Sequence, residues 1–415
     1  MFRSVNRRQA FTGTMLTVAL AITTVAAPPK AWAQTPAPPA DTREASIAAA
    51  EQAKAKELKP IERGKGEAIF KKIEEAFVTG NLHWHPFFRS AYNGGGFTLG
   101  AGYARHVSSY NLIDVRGSYT VSGYKRFEAE YIAPRLFDRR ATLSVLGGWR
   151  EATQVGFYGF GTPNTSADDR ANYSFEQPYG SANLELRPTR RYLLFGAGVE
   201  YSQWKQGPGE GSAPSIEEVY TPDTLVGLGA DPIYLHATGT AAFDWRTSPG
   251  YSRTGGYYGA TYHDYADQDD RYGFSQVDYE AIQHIPLGRD FWVLSLHGLA
   301  STTYLKSNQA IPFFMQPALG GGSTLRGFTS WRFRDRHSIL FQAEMRVLAS
   351  PFIDLALFYD AGKVTASRSD LDFDQLKTDF GFGFRLHGPM VTPLRIELAR
   401  SNEGLSVIFS SSAVF

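Results

Sequence analysis

The chain has 415 residues, with 41 glycines, 22 tyrosines and 29 phenylalanines, and its formal net charge at pH 7 is +1. This charge argues against a protein that binds nucleic acid through bulk positive charge, and no nucleic-acid partner is expected. Because the chain has no cysteine, a disulfide framework and thiol chemistry are both excluded. Length allows either several domains or one large closed β-structure, and the abundance of Gly, Tyr and Phe favours the β-structure.

The N-terminus has the organisation of a secretory signal peptide. Three arginines, Arg3, Arg7 and Arg8, precede an apolar run over 11–28, and Ala-Trp-Ala follows at 31–33. A basic region, an apolar region and an A-x-A site predict that residues 1–33 are cleaved after Ala33. A twin-arginine export signal is the alternative, and the mature chain is exported in either case.

Residues 34–82 are predicted to form a periplasmic leader that ends in an amphipathic helix. The first half is rich in Ala, Pro, Lys and Glu, a composition typical of a flexible segment. Over 67–77, the apolar residues fall on one helical face: Ile69, Phe70, Ile73 and Phe77. We expect this helix to cap the structure that follows, and a plug or a membrane-surface helix is the alternative.

From 83 to 415 the apolar residues recur with period two. In the stretch DLALFYDAG, Leu357 and Tyr359 share one face of a strand, and Phe358 and Asp360 share the other. A soluble sandwich would bury the apolar face, whereas a transmembrane barrel turns it to lipid. We predict an all-β fold: an outer-membrane transmembrane β-barrel of about 16 antiparallel strands, each of roughly ten residues, with a short N-terminal periplasmic helix. The first strand is expected at 85–93.

Two further patterns favour a barrel in the bacterial outer membrane. Short connections alternate with long ones, at 156–172, 207–231 and 306–337, as expected for short periplasmic turns and long extracellular loops. The last predicted strand, 404–415, places Phe409 in phase with the final residue, Phe415. This pattern resembles the terminal strand signal of bacterial outer-membrane proteins, so outer-membrane lipid is an expected partner.

Sites for catalysis or metal binding are not predicted. The stretch 321–325, Gly-Gly-Ser-Thr-Leu, fails the G-x-S-x-G pattern at its last position. His83 and His85 are better explained as one face of a first strand than as a metal site. We therefore expect no catalytic residue, no metal and no cofactor, and the protein is not predicted to be an enzyme.

Arg326 stands in a long glycine-rich loop, in the motif Leu-Arg-Gly-Phe at 325–328. By itself it could be a solvated cation, as most loop arginines are. Two later strands, however, carry Glu344 and Asp360, and the alternation turns both carboxylates toward the lumen. A loop folded inward would bring the guanidinium to both, in a partly desolvated space where bidentate hydrogen bonds are strongest.

Four segments together resemble a known family: Gly321-Gly322, the motif at 325–328, Glu344-Met345-Arg346 and the stretch 358–362. They are similar to the C-terminal barrel of the bacterial surface antigen superfamily, which includes the BamA/TamA assembly factors and the two-partner-secretion transporters. In that family the sixth extracellular loop folds into the lumen, where its motif arginine pairs with acidic residues. The resemblance implies a lumenal latch in which Arg326 binds Asp360 first and Glu344 second, with the remaining motif positions being Gly327, Phe328 and Gly362.

The same resemblance implies assembly or translocation of proteins or other outer-membrane components. Unfolded outer-membrane proteins or periplasmic factors would then be partners. Family members that insert or secrete proteins carry periplasmic POTRA domains, and residues 34–82 are too few for even one, so the fold transfers more safely than the activity. A passive loop-plugged pore and a surface structural barrel are the alternatives.

Overall fold

The computed structural model describes residues 83–415, apart from 163–164, 190–191, 289–290, 351, 389–391, 393 and 411–414. The predicted signal peptide at 1–33, the leader at 34–82 and its helix at 67–77 lie outside the described residues. Within the described part, no helix is long and apolar enough to cross a membrane. The helical segments there are short: Leu136–Arg139 (α1), Ile216–Val219 (α2) and the 3-10 turns Ala167–Asp169, Phe313–Met315 and Arg368–Asp370.

Strands make up most of the described chain. In chain order they are β1 (Trp84–Pro86), β2 (Thr98–His106), β3 (Leu112–Thr120), β4 (Lys125–Arg135), β5 (Ala141–Phe157), β6 (Ala171–Leu186), β7 (Leu193–Gln203), β8 (Lys205–Pro208), β9 (Ile233–Asp244), β10 (Gly255–Asp267), β11 (Phe274–Pro286), β12 (Trp292–Leu305), β13 (Ala318–Leu319), β14 (Phe333–Arg334), β15 (His337–Ser350), β16 (Ile353–Thr365), β17 (Lys377–Leu386), β18 (Leu394–Ser401) and β19 (Gly404–Ser410). Seventeen of them form one sheet, and β13 pairs separately with β14.

The large sheet is antiparallel throughout, and its strands pair in chain order from β1–β2 to β18–β19. β7 and β8 both pair with β6 and are separated only by Trp204, so they form one crossing segment. Among the described residues, the seventeen strands therefore correspond to sixteen antiparallel segments, of which β1 has only three residues. This up-and-down order is that of an outer-membrane barrel and confirms the predicted fold class.

Burial along the strands is inverted relative to a soluble sheet. In β16, Leu357 is 66% exposed and Tyr359 is also exposed, whereas Phe358 and Asp360 are buried. Exposed apolar side chains recur in the same way on most other strands of the sheet. An apolar outer face around a partly charged interior is the pattern expected of a barrel wall in lipid.

The predicted first strand at 85–93 is wrong in its extent. β1 ends at Pro86, which has no N–H to donate to the ladder, and Phe87 makes the last backbone bond, to Gly100 O at 2.9 Å. The next residues leave the sheet, and Ala91 and Tyr92 are buried in an apolar cluster. The apolar residues at 87–93 therefore fill a connection rather than a strand face.

The prediction that Phe415 shares the phase of Phe409 is also wrong. β19 ends at Ser410, and Phe409 in this strand points outward and is exposed. The Phe415 ring instead lies 4.9 Å from the ring of His297 and 6.1 Å from that of His284, whose buried side chains belong to β12 and β11. Phe415 thus packs on the inner surface of strands that are distant from β19 in the sheet order.

The long connections at one end of the sheet share an apolar cluster. Phe313, in the connection between β12 and β15, packs edge-on against Phe157 of β5 at 5.1 Å and Tyr173 of β6 at 5.0 Å. Trp204 stacks on Phe314 at 5.6 Å. These five rings are buried, so the cluster fixes the long connection between β12 and β15 over this end of the sheet.

Gly381 in β17 and Gly147 in β5 provide a test of this packing. A Cβ at Gly381 would overlap Phe358 and Leu398 O, whereas nothing lies within 4 Å of a Cβ at Gly147. Gly381→Val is expected to destabilise the barrel by about 1–3 kcal/mol through overpacking, and Gly147→Val to have no effect. The temperature that converts the folded gel band to the unfolded band measures this difference, and an equal change in both variants would contradict it.

Candidate functional site: the buried Arg326 cluster

The site begins in a tight turn within the connection between β12 and β15. Gly320 and Gly321 have φ of 113° and 94°, a region that side chains rarely adopt. The Gly321 N–H donates to both Leu325 O at 3.1 Å and Phe328 O at 3.0 Å. The two glycines therefore close a compact ring of backbone that presents Arg326 on one side.

Apolar packing holds this turn against the wall. Leu325 and Phe328 are buried with Leu319 and Phe333 of the same connection, and Leu340 of β15 and Val364 of β16 complete the cluster. The rings of Phe328 and Phe333 meet edge to face at 5.1 Å. These contacts place the turn beside the inward faces of β15 and β16.

Arg326 forms a bidentate ion pair with Asp360. Its Nε donates to Oδ2 and its Nη2 to Oδ1, each at 2.7 Å, and its backbone N–H donates to Oδ2 at 3.3 Å. Both side chains are 0% exposed. The guanidinium also lies 3.5 Å from the centre of the Phe358 ring. This planar fork-to-carboxylate geometry is specific to arginine, since a lysine has a single ammonium to offer.

Two further carboxylates accept hydrogen bonds from the remaining guanidinium nitrogen of Arg326. Nη1 donates to Glu344 Oε2 at 3.2 Å and to Glu397 Oε1 at 3.3 Å. The structure thus brings Arg326, Asp360 and Glu344 together and adds Glu397, which the sequence analysis did not single out. Alternation along β18 places Glu397 inward, but no motif marks it.

Neighbouring arginines balance these acids. Arg385 of β17 donates to both oxygens of Glu344 and to Glu397 Oε1, the last at 2.8 Å. Arg395 Nη1 lies 3.3 Å from Glu397 Oε2, and its Nη2 donates to Gly322 O of the loop at 2.8 Å. The wall itself therefore binds the loop backbone. Compensation of this kind is needed because an unpaired buried charge is costly.

The glycines of the predicted motifs occupy positions without room for a side chain. A Cβ at Gly327 would lie 2.5 Å from Asp379 Cβ, and one at Gly362 would lie 2.7 Å from Ile339 O. The Gly327 carbonyl also accepts a hydrogen bond from Ser401 Oγ at 2.8 Å. The absence of a side chain at Gly327 lets the loop approach β17. The absence of one at Gly362 lets the loop approach β16, since a Cβ at Gly362 would lie 3.0 Å from Leu319.

A second connection enters the interior from the other end of the sheet. Residues 245–254 join β9 to β10, and we call them the interior strap. Tyr251 Oη donates to Asp354 Oδ2 of β16 at 2.9 Å and lies 3.1 Å from His387 Nε2. Its ring stacks on the His387 ring at 3.9 Å and 8°. Because β11, β12 and β15 separate β10 from β16, the strap crosses the space that the sheet encloses.

The strap and the Arg326 loop meet the same strands. Arg346 of β15 donates to Ser252 O of the strap, and its Nε lies 3.8 Å from Glu344 Oε1. Glu344 in turn accepts from Arg326. A continuous line of charged contacts on β15 therefore connects the two interior segments. Sequence patterns did not predict the inward contacts of the strap, because its partners lie 103 and 136 residues away.

These features define the class and the family of the protein. An antiparallel sheet of strands paired in chain order, with an apolar outer face and a charged interior, defines an outer-membrane β-barrel. The Omp85 superfamily domain matches residues 110–404, more than half of the chain. The chain therefore belongs to the Omp85 superfamily, and this membership indicates the bacterial outer membrane as its location.

Solved structures share this fold. BamA from Haemophilus ducreyi lacking POTRA domains 1–3 is 13% identical with a TM-score of 0.58, and the similarity covers 80% of this chain and 68% of that structure. CdiB from Escherichia coli is 12% identical with a TM-score of 0.53, and the similarity covers 79% of this chain and 61% of CdiB, less than two thirds. No curated protein matches the sequence. At these identities the likeness shows the fold alone.

Replacing Arg326 by Ala is expected to release the loop. Asp360, Glu344 and Glu397 would lose their shared cation, and breaking a buried pair costs about 3–5 kcal/mol. Limited proteolysis of the folded barrel should then cut near Phe328, where the parent protein is protected. The matched control is Arg271→Ala, which removes an exposed arginine–aspartate pair in another connection and should leave protection unchanged. Protection retained in Arg326→Ala would refute the expectation.

Tyr251→Phe tests the interior strap. The substitution keeps the stacked ring but removes the hydroxyl bonded to Asp354 and His387, a loss of about 1.5–3 kcal/mol for a bond to a charged group. Backbone amides at 247–254 are expected to exchange with solvent faster. Tyr258→Phe is the control, because its hydroxyl bonds Gln283 on the exposed face. Unchanged exchange in Tyr251→Phe would show that the strap is held by other contacts.

Proposed function

We propose that this protein takes part in the assembly or translocation of proteins or other components of the outer membrane. The observation that carries the proposal is the Omp85 superfamily match over 110–404, since the superfamily consists of barrel assembly and transport proteins. In the proposed layout, residues 1–33 are a cleaved signal peptide, 34–82 a periplasmic leader and 83–415 the barrel.

Arg326 is proposed to act as a latch that keeps the long loop against the inner wall. Asp360 is its main partner, and Glu344 and Glu397 assist. Three carboxylates converging on one buried guanidinium support this role, because each bond requires the loop in its inward position. We propose outer-membrane lipid and unfolded outer-membrane proteins or periplasmic factors as partners that meet the barrel at its wall.

A loop-plugged pore is the second candidate, and the polar inner surface of β9–β12 favours it. His236 lies 3.0 Å from His263, and His297 bonds both Glu280 at 3.0 Å and Gln342 at 2.8 Å. Inward polar side chains of this kind would line a water-filled channel if the loop and the strap moved away.

Depletion of the protein, followed by an inventory of outer-membrane proteins and lipids, distinguishes the two candidates. Assembly or translocation predicts loss of particular envelope components, together with little steady conductance from the purified barrel in a planar bilayer. An intact envelope, with a large stable conductance that increases in Arg326→Ala, would overturn the proposal in favour of the pore. The control is Arg271→Ala, which should change neither measurement.

A further inference from the structure

An open cavity of about 720 Å³ lies at the loop end of β17 and β18. Its lining contains two cationic residues, several hydroxyl and amide side chains and one aromatic ring: Gln375, Leu376, Lys377, Thr378, Phe380, Arg400, Ser401 and Asn402. We call it the rim cavity. It borders the end of the sheet that carries the Arg326 loop, because Lys377 begins β17 and Ser401 ends β18.

The rim cavity opens on the outer face of the wall. Phe380 is 61% exposed, and Arg400, its register partner on β18, is also exposed. Below them, Phe382 pairs with Leu398 on the same outward face. Arg400 therefore lies at the upper edge of an apolar strip, where the lipid-facing surface meets the solvent beyond the outer leaflet.

The charge of Arg400 is available to a ligand. Among the residues that the structure describes, its guanidinium has no ion partner. Two acidic residues of nearby connections are occupied elsewhere, since Glu403 pairs with Arg332 at 2.8 Å and Asp372 pairs with Lys363. A cation at a membrane edge is stabilised by an anionic headgroup, and the guanidinium fork fits a phosphate in a bidentate manner.

We propose that the rim cavity binds a phosphorylated glycolipid of the outer leaflet. Arg400 would donate to the phosphate, the polar groups of Thr378 and Asn402 would face sugar hydroxyls, and an acyl chain would lie along Phe380 and Phe382. The inference deepens the proposed function and rests on it for location, since it names a lipid as the partner of the wall.

A residue of the rim cavity also contacts the Arg326 loop. Ser401 lines the cavity, and its hydroxyl donates to the carbonyl oxygen of Gly327 at 2.8 Å. Gly327 follows Arg326 in the chain. A lipid that orders the end of β18 therefore stabilises the inward position of the loop, by linkage between binding and conformation.

Native mass spectrometry of the detergent-purified full chain tests the site, with added bis-phosphorylated lipid A as the probe. Arg400→Gln is expected to weaken lipid retention about tenfold, the effect of losing about 1.4 kcal/mol from one charge-assisted contact. Arg105→Gln is the matched control, because Arg105 is an exposed arginine at the opposite end of the wall. Lipid A without phosphates should bind the parent protein as weakly as lipid A binds Arg400→Gln.

A second measurement links the site to the loop. Lipid A should slow hydrogen exchange of the backbone amides at 325–328 in the parent protein and in Arg105→Gln, but not in Arg400→Gln. Equal lipid retention by Arg400→Gln and the parent protein overturns the proposal, and so does an equal loss of lipid retention in Arg400→Gln and Arg105→Gln. Full displacement of lipid A by millimolar inorganic phosphate overturns it as well. These assays use purified protein, so they can fail while depletion still alters the envelope, and the reverse also holds.

Discussion

The buried ion pair between Arg326 and Asp360 is the constraint around which the interior is organised. Removing a guanidinium from water costs several kcal/mol, so its charge must be compensated by acidic acceptors of its N–H groups. The wall supplies them from three strands, β15, β16 and β18, and Arg385 and Arg395 keep the added carboxylates balanced. Gly327 and Gly362 then follow as requirements, since a side chain at either position would hold the loop away from its partners.

The inner wall of β15–β17 thereby holds two segments that enter from opposite ends. Glu344 and Arg346 are two residues apart on one face of β15, one bound to the loop and the other to the interior strap. A displacement of either segment changes the charge environment of the other through the 3.8 Å contact between Arg346 and Glu344. This is a physical basis for coupling between the two ends, and double-mutant cycles can measure its size.

Sequence patterns were sufficient to predict the fold and part of the site. Period-two alternation in β16 placed Asp360 inward beside Phe358 because lipid and lumen impose opposite polarity on successive residues. Glu397 is on the inward face by the same rule, yet its contact with Arg326 depends on how three strands curve together, which local pattern does not encode. Ala91, Tyr92 and Phe415 show the reverse problem: they continue the apolar alternation of a strand in the sequence, but tertiary packing places them outside the sheet.

The interior strap has a consequence for the order in which the barrel forms. Its contacts join residues 103 and 136 positions apart, so none can form before β9–β17 have aligned. Long-range contacts of this kind pay the loop-closure entropy of all the intervening strands and are made late in folding. Tyr251 should therefore reach His387 only after β9–β17 have paired, so the strap is among the last parts of the interior to take its final position.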